Sequence, residues 1–166
     1  MNAHKKFIST LLFSASALLS CHAQSTNNLP CVVVRIYDGD SVMIKPEGAK
    51  AGRKARLYGI DAPEPNQSFG PTAEARLREL VRNRVLRFTF MGEDNYGRPL
   101  IKIFADDTEV NLELIREGMA WHYDRFDATP SYAAAHAEAR EHKRGLWIDP
   151  KPIMPEEFRA QQKRGK

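Results

Sequence analysis

Two runs of β-branched residues on either side of Asp38-Gly39 constrain the fold of this chain more than any other feature. Residues 32–37 and 41–45 are rich in valine and isoleucine, which favour strands. Asp-Gly favours a tight turn between two strands, because both of its residues tolerate a positive φ angle. The sequence therefore predicts an antiparallel hairpin, and the folded domain begins near Cys31.

The rest of the chain alternates between strand and helix patterns. Strands are predicted over 54–60, 85–91 and 100–104, and helices over 71–83, 110–117 and 130–143. Thr72 and Asn111 are candidate caps for the first two helices, and Gly145 suits a left-handed position that closes the third. Five strands, with a helix between the third and fourth, predict an α+β fold, mainly β: a small closed barrel with three peripheral helices.

The two ends of the chain have a different character from the middle. A basic start followed by an uncharged apolar run predicts an export signal over 1–23. A lipoprotein signal that ends before Cys21 is the alternative, and it would attach a lipid to that cysteine. Residues 24–30 are predicted to be a flexible leader, 31–149 the domain, and 150–166 a basic, loosely attached tail.

Composition and spacing exclude several functional classes. Loss of the export signal removes two of the 25 basic residues and none of the 21 acidic ones, so net charge is a weak argument for nucleic acid. The only cysteines of the sequence, Cys21 and Cys31, cannot form a disulfide framework or a CxxC zinc cluster. No HExxH or paired His and Cys pattern surrounds the candidate zinc ligands His122, His136 and His142.

Three acids and two arginines stand close to the predicted strand ends. Asp40 begins the second strand, and Asp61 and Glu64 follow the third. Carboxylates are hard oxygen ligands that suit Ca²⁺ or, less readily, Mg²⁺, and Arg56 and Arg98 have planar forks that match phosphate oxygens. Phosphodiester cleavage requires a divalent ion held by acids beside arginines that face an anion.

Arg56 and Asp61 can serve one site only if the third strand is irregular. Their odd separation places them on opposite faces of a regular strand. The strand must therefore bulge or end between them, and Gly59 is the natural position for this.

Three segments resemble the signature blocks of the staphylococcal nuclease (thermonuclease) family in order and spacing. They are Asp-Gly-Asp-Ser at 38–41, Arg-Leu-Tyr-Gly-Ile-Asp-Ala-Pro-Glu at 56–64, and Asp-Asn-Tyr-Gly-Arg at 94–98. The likeness extends from about residue 32 to 147. It implies a five-stranded OB-fold barrel with three helices, and an endonuclease that uses one Ca²⁺ ion to cut DNA and RNA with little sequence preference, leaving 3′-phosphates.

The resemblance also implies the ligands of the ion. Asp40 and Asp61 would bind Ca²⁺ through their carboxylates, and Ala62 would bind it through its backbone carbonyl. Asp38 and Ser41 would support this site from behind the ligands.

The same resemblance implies three catalytic residues. Glu64 would hold or deprotonate the attacking water, and the choice between these roles stays open. Arg56 and Arg98 would hold the scissile phosphate and stabilise the charge that grows on its oxygens.

Three aromatic residues, Tyr96, Tyr123 and Phe126, are candidates for stacking on bases or sugars, with core packing as the alternative. Stacking would favour single-stranded DNA and RNA. We expect a monomer without an obligate protein partner, periplasmic or secreted, or lipid-anchored through Cys21.

A catalytically inert OB-fold module that binds nucleic acid is the rival hypothesis. Such a module would gain nothing from three carboxylates, because they repel phosphate unless a cation lies between them. The complete set of acids and arginines therefore favours the enzyme.

Overall fold

The computed structural model describes residues 31–165. The predicted export signal, the alternative lipid attachment at Cys21 and the leader over 24–30 lie outside these residues and stay predictions. Between residues 31 and 165, no helix is both long enough and apolar enough to cross a membrane.

The described chain forms strands and helices close to the predicted ones. The strands are β1 (Cys31–Ile36), β2 (Ser41–Pro46), β3 (Arg53–Leu57), β4 (Ile60–Asp61), β5 (Leu86–Glu93), β6 (Pro99–Ala105), β7 (Thr108–Glu109) and β8 (Trp121–His122). The helices are α1 (Gly70–Val81), α2 (Val110–Arg116), α3 (Pro130–Glu141) and α4 (Pro155–Arg164), with a 3-10 helix over Gly145–Ile148.

The five longer strands form one curled sheet in the order β1-β2-β3-β6-β5. Only β3 and β6 pair in parallel among these neighbours, with Arg56 opposite Leu100. The sheet curls into a half-barrel, which brings its outer strands β1 and β5 towards each other. Its apolar side packs against α1 and α2 in one continuous core. This is the predicted α+β, OB-fold-like architecture, with α4 as an additional helix.

Glycine is required in the β1–β2 turn for a reason other than the predicted one. Neither Asp38 nor Gly39 has a positive φ angle, and the Asp38 carboxylate accepts a hydrogen bond from the backbone N–H of Asp40 at 3.0 Å. A Cβ at Gly39 would lie 2.7 Å from the Cβ of Ala62 and 2.8 Å from that of Ala73. Close packing therefore excludes a side chain here.

Neither predicted helix cap is correct. Phe69 precedes α1 with a φ of 64°, and Thr72 lies inside the helix. Glu109 precedes α2, and Asn111 lies inside its first turn. Both helices begin without a side-chain cap, because tertiary packing holds their first turns.

Asn111 instead joins α2 to the sheet. The side chain is fully buried, and its Oδ1 accepts a hydrogen bond from the backbone N–H of Ile103 at 3.1 Å. Its Nδ2 donates to the carbonyl oxygens of Ile101 at 3.1 Å and Tyr58 at 3.0 Å. The amide thus satisfies backbone groups where β3 ends beside β6.

The prediction of a loosely attached C-terminal tail is wrong for residues 155–164, which form α4. Pro155 is buried, and the Glu156 carboxylate accepts hydrogen bonds from Tyr123 Oη and Arg125 Nη1, each at 3.2 Å. The segment has few apolar residues, and this argued for a tail. The helix docks mainly through polar and charged contacts, which hydrophobicity does not reveal.

An aromatic cluster formed by Trp121 of β8 and Trp147 of the 3-10 helix surrounds His136 of α3. Its ring centroid lies 5.9 Å from that of Trp121 and 4.9 Å from that of Trp147. The buried Nε2 has no hydrogen-bond partner among the described residues. Burial lowers the pKa of His136 to about 4, and Arg140 and His122 act in the same direction. The fold therefore accommodates the neutral ring.

Mild acid should destabilise the protein through His136. The unfolded chain binds this proton near pH 6.5 and the folded chain near pH 4, so the free energy of unfolding falls between these values, by up to about 2 kcal/mol at pH 5. His136→Leu removes this dependence. Urea unfolding at pH 7.5 and pH 5 should show the variant gaining that amount relative to the parent chain, and an equal difference at both pH values would contradict the prediction.

Candidate active site

Arg56 joins two buried carboxylates from different parts of the chain. Asp40 lies just before β2 and is 3% exposed, and Asp61 lies in β4 and is 0% exposed. Nη1 of Arg56 donates a hydrogen bond to Asp40 Oδ1 at 3.0 Å, and Nη2 donates to Asp61 Oδ1. One guanidinium group therefore lies between the two predicted metal ligands.

The predicted break at Gly59 is confirmed. β3 ends at Leu57, Gly59 has a φ of 74°, and β4 begins at Ile60. This turn interrupts the alternation of side chains and brings Asp61 to the same site as Arg56. A Cβ at Gly59 would also lie 2.9 Å from the ring of Tyr132.

Both carboxylate oxygens of Asp40 accept hydrogen bonds besides the contact with Arg56. Oδ1 accepts one from Ser41 Oγ at 3.1 Å, and Oδ2 accepts one from the backbone N–H of Ala62 at 2.8 Å. Asp38 holds the backbone of the same residue. Both residues predicted to support the site therefore contact Asp40, and Ala62 lies beside it.

Burial shapes the electrostatics of this cluster. It raises the pKa of Asp40 and of Asp61 above the usual value, and Arg56 opposes the rise at both. Burial also acts against the charge of Arg56, but the two carboxylates hold its pKa above the usual value. Two desolvated carboxylates so close together favour any cation that can reach them.

A second guanidinium group at the site comes from α4, and sequence reasoning missed it. Arg159 Nη1 donates to Glu64 Oε1 at 2.6 Å and to Asp61 Oδ1 at 3.2 Å, and Nη2 donates to Asp61 Oδ2 at 3.1 Å. Glu64 thus joins the cluster through Arg159. Proline followed by two acids at 155–157 signals a helix start, but no local pattern signals a contact across 98 positions.

The carboxylate oxygens of the cluster are chemically suited to bind a hard divalent cation. In the described part of the chain, no three His, Cys, Asp or Glu side chains form a ready metal-binding group. Oxygens of Asp61 and Glu64 converge instead on the guanidinium of Arg159, so a positive group already fits between them. Carboxylate oxygens are the ligands that Ca²⁺ and Mg²⁺ prefer.

Arg98 lies near this cluster but contacts none of its acids. Its Nε donates to Asp94 Oδ2 at 2.6 Å, while Asp94 Oδ1 accepts the backbone N–H of Arg98 at 2.9 Å. Neither Nη atom has a hydrogen-bond partner between residues 31 and 165. Because Leu100 pairs with Arg56 and β6 begins at Pro99, Arg98 directly precedes this strand, two residues before the position opposite Arg56. Asp94 therefore holds the Nε edge of the Arg98 guanidinium group, and the Nη edge has no hydrogen-bond partner among the described residues.

Two of the predicted aromatic residues, Tyr96 and Phe126, lie at the surface, and Tyr123 is partly buried. Tyr96 is 84% exposed, and the guanidinium of Arg98 lies 5.5 Å from its ring centroid. Phe126 is 62% exposed and lies 4.8 Å from the ring of Tyr123, whose backbone N–H donates to Gly59. Exposure of Tyr96 and Phe126 argues against the core-packing alternative for these two residues.

The arginines around α1 do not form an open basic surface. Arg76 binds both oxygens of Glu117 at 2.5 and 2.6 Å, and Arg78 binds Glu74. Arg87 donates to the backbone carbonyl of Asp106. The pairs of Arg76 and Arg78 tie α1 to its neighbours or neutralise charge locally, so only part of this arginine-rich stretch presents unpaired positive charge.

The OB-fold-like half-barrel gathers acids and arginines where its strands end, as a phosphodiesterase would require, and comparisons with known proteins specify the family. Residues 54–149 match the family described as staphylococcal nuclease homologue. The chain belongs to this family.

It is 36% identical over 160 residues to an uncharacterized endonuclease of Haemophilus influenzae, covering 96% of this chain and 88% of that protein. It is 35% identical over 143 residues to a micrococcal nuclease of Shigella flexneri, covering 79% and 80%. The protein is a nuclease.

Proposed function

We propose that this nuclease hydrolyses phosphodiester bonds of DNA and RNA with little sequence preference, depends on Ca²⁺, and leaves 3′-phosphates. The observation that carries the proposal is the cluster of Asp40, Asp61 and Glu64 around arginine side chains, at the end of an OB-fold-like sheet. Carboxylates repel phosphate, so a cation must lie between them for this cluster to act on nucleic acid.

One Ca²⁺ ion would be held by the carboxylates of Asp40 and Asp61 and by the backbone carbonyl of Ala62. Bound there, it would offset the charge of the phosphate and of the developing transition state. Arg56 keeps the two carboxylates together, and this explains why a guanidinium group is buried between them.

Glu64 is the residue best suited to accept the proton of the attacking water. Its side chain is 28% exposed, whereas those of Asp40 and Asp61 are almost completely enclosed. Water can therefore reach Glu64, and a carboxylate beside the phosphate can orient that water and take its proton. Arg98 would hold the phosphate with its Nη atoms, which have no hydrogen-bond partner among residues 31–165.

The exposed aromatic residues support a preference for single strands. Tyr96 and Phe126 present exposed rings that could stack on unpaired bases of any type, and the partly buried Tyr123 lies beside Phe126 and could contribute a third ring. Such contacts require no particular base, so sequence preference would be weak. We propose a monomer that acts in the periplasm or outside the cell, where millimolar Ca²⁺ suits a site with few protein ligands; lipid attachment at Cys21 is the alternative form.

Arg98→Ala should lower the rate of cleavage of single-stranded DNA by about 10²- to 10³-fold, because a preorganised donor to the phosphate is lost. Chelation of Ca²⁺ should abolish cleavage by the parent chain. The control is Arg82→Ala, which removes the same charge from an exposed position that forms no ion pair within the described residues, whereas Arg98 is partly buried and paired with Asp94. Product ends should be 3′-phosphates. Cleavage that persists in chelator, or equal rates for Arg98→Ala and Arg82→Ala, would show that the proposal is wrong.

A further inference from the structure

Helix α4 covers the acids that the proposed function requires. Arg159 occupies both carboxylate oxygens of Asp61 and one of Glu64, at 2.6 to 3.2 Å. On the same helix, Glu156 accepts a hydrogen bond from Tyr123 Oη. One short segment thus contacts a predicted metal ligand, the predicted base and a predicted stacking residue.

A cation at Asp61 and the guanidinium of Arg159 need the same oxygens. A divalent ion bound to Asp61 would also lie within a few ångströms of a positive charge, and this repulsion is strong in a partly desolvated site. The two occupants therefore compete for Asp61. Arg56 also donates to Asp61 Oδ1 but makes no contact with Oδ2, whereas Arg159 contacts both oxygens. Binding of the cation must therefore displace Arg159 from Asp61.

The docked helix has few anchors. It is ten residues long, too short to be stable by itself in water, and only Pro155 is buried. Besides Arg159, its segment is held by Glu156 and by Gln67, whose Nε2 donates to the carbonyl of Ile153 at 2.6 Å. Phe158 is the one large apolar contact of the helix: it is partly buried and lines a small pocket with Phe69 and Trp121. Loss of the Arg159 ion pairs would therefore release the helix from the site.

We propose that α4 is an autoinhibitory latch. Arg159 occupies the Asp61 oxygens that the cation needs, and binding of Ca²⁺ releases the helix from Asp61, Glu64 and Tyr123. The latch rests on the proposed function in taking Ca²⁺ as the cation. It adds a regulatory role for a segment that lies beyond residues 54–149, which match the family.

Calcium titration of the full chain by calorimetry tests the latch. Arg159→Gln should bind Ca²⁺ about tenfold more tightly than the parent, as expected if the latch is closed roughly nine-tenths of the time. The control is Arg164→Gln, which removes the same charge from the exposed end of α4 and should leave the affinity unchanged. Equal or weaker binding by Arg159→Gln, or equal gains in both variants, would overturn the latch.

Hydrogen exchange separates release of the helix from a simple charge effect. Amides of residues 155–164 should be protected in chelator and lose that protection in saturating Ca²⁺, whereas Arg159→Gln should lack it in both. Unchanged protection on adding Ca²⁺ would overturn the latch even if the affinities differ.

Activity distinguishes failure of the latch from failure of the proposed function. If the parent cleaves DNA only with Ca²⁺ but both arginine variants bind the ion like the parent, the latch alone is wrong. If the parent neither binds Ca²⁺ nor needs it, the proposed cation is wrong and the latch falls with it. A rate for Arg159→Gln at saturating Ca²⁺ more than tenfold below that of Arg164→Gln would place Arg159 on the substrate and would also overturn the latch.

Discussion

Glu64→Gln is expected to lower the cleavage rate at saturating Ca²⁺ by about 10³- to 10⁴-fold while leaving the fold intact. The amide keeps the size of the side chain but cannot accept a proton at neutral pH. Glu64 is partly exposed, and its described side-chain contact is the ion pair with Arg159, so its replacement opens no cavity in the core.

The matched control is Glu157→Gln, which removes an equally charged carboxylate from the exposed side of α4. Rates on labelled single-stranded DNA and urea unfolding should be measured for both variants. Glu64→Gln should lose activity without losing stability, and Glu157→Gln should lose neither. A rate within tenfold of the parent would exclude Glu64 as the base. A parallel loss of Ca²⁺ affinity would instead make it a ligand.

Arg56→Gln is expected to reduce the free energy of unfolding in chelator by about 3 to 5 kcal/mol, because removing one partner of a buried ion pair leaves the other uncompensated. Here two carboxylates, Asp40 and Asp61, would lose their shared guanidinium group. Ca²⁺ should restore part of the loss, since an ion that binds the folded state stabilises it. Cleavage should fall as the metal site loosens.

Arg53→Gln is the control for this change, because Arg53 lies on the same strand and pairs with Glu93 at the surface. Exposed pairs of this kind contribute about 1 kcal/mol or less. Urea unfolding of both variants, in chelator and in Ca²⁺, should show a large, partly Ca²⁺-reversible loss only for Arg56→Gln. Similar small losses in the two variants would contradict the claim that Arg56 holds the acidic cluster together.

Much of the architecture could be predicted because it depends on short-range patterns. Alternating β-branched residues and glycine positions located the five main strands, and the odd spacing of Arg56 and Asp61 located the break at Gly59. The spacing argument related Arg56 to Asp61, and the resemblance to the nuclease family added Asp40; in the structure Arg56 contacts both acids. Each of these inferences uses neighbours within a few residues or the fixed period of a strand.

Other features could not be predicted because they depend on which surfaces meet. Gly39 is needed for close approach to Ala62 and Ala73, not for a positive φ angle. Asn111 satisfies backbone groups of the sheet instead of capping its helix. Arg98 was predicted to face the same phosphate as Arg56, and its geometry, held by Asp94, leaves that role a proposal.

The sequence by itself determined the strand order along the chain, the break in β3 and the family to which the acids and arginines belong. Only the tertiary structure decided that α4 folds back and places Arg159 between Asp61 and Glu64. The physical reason is that strands and turns are specified by residues close in the chain, whereas an ion pair across 98 positions is specified by distance in space. In the sequence, Arg159 and Asp61 look like any other charged residues, and only folding brings them into contact.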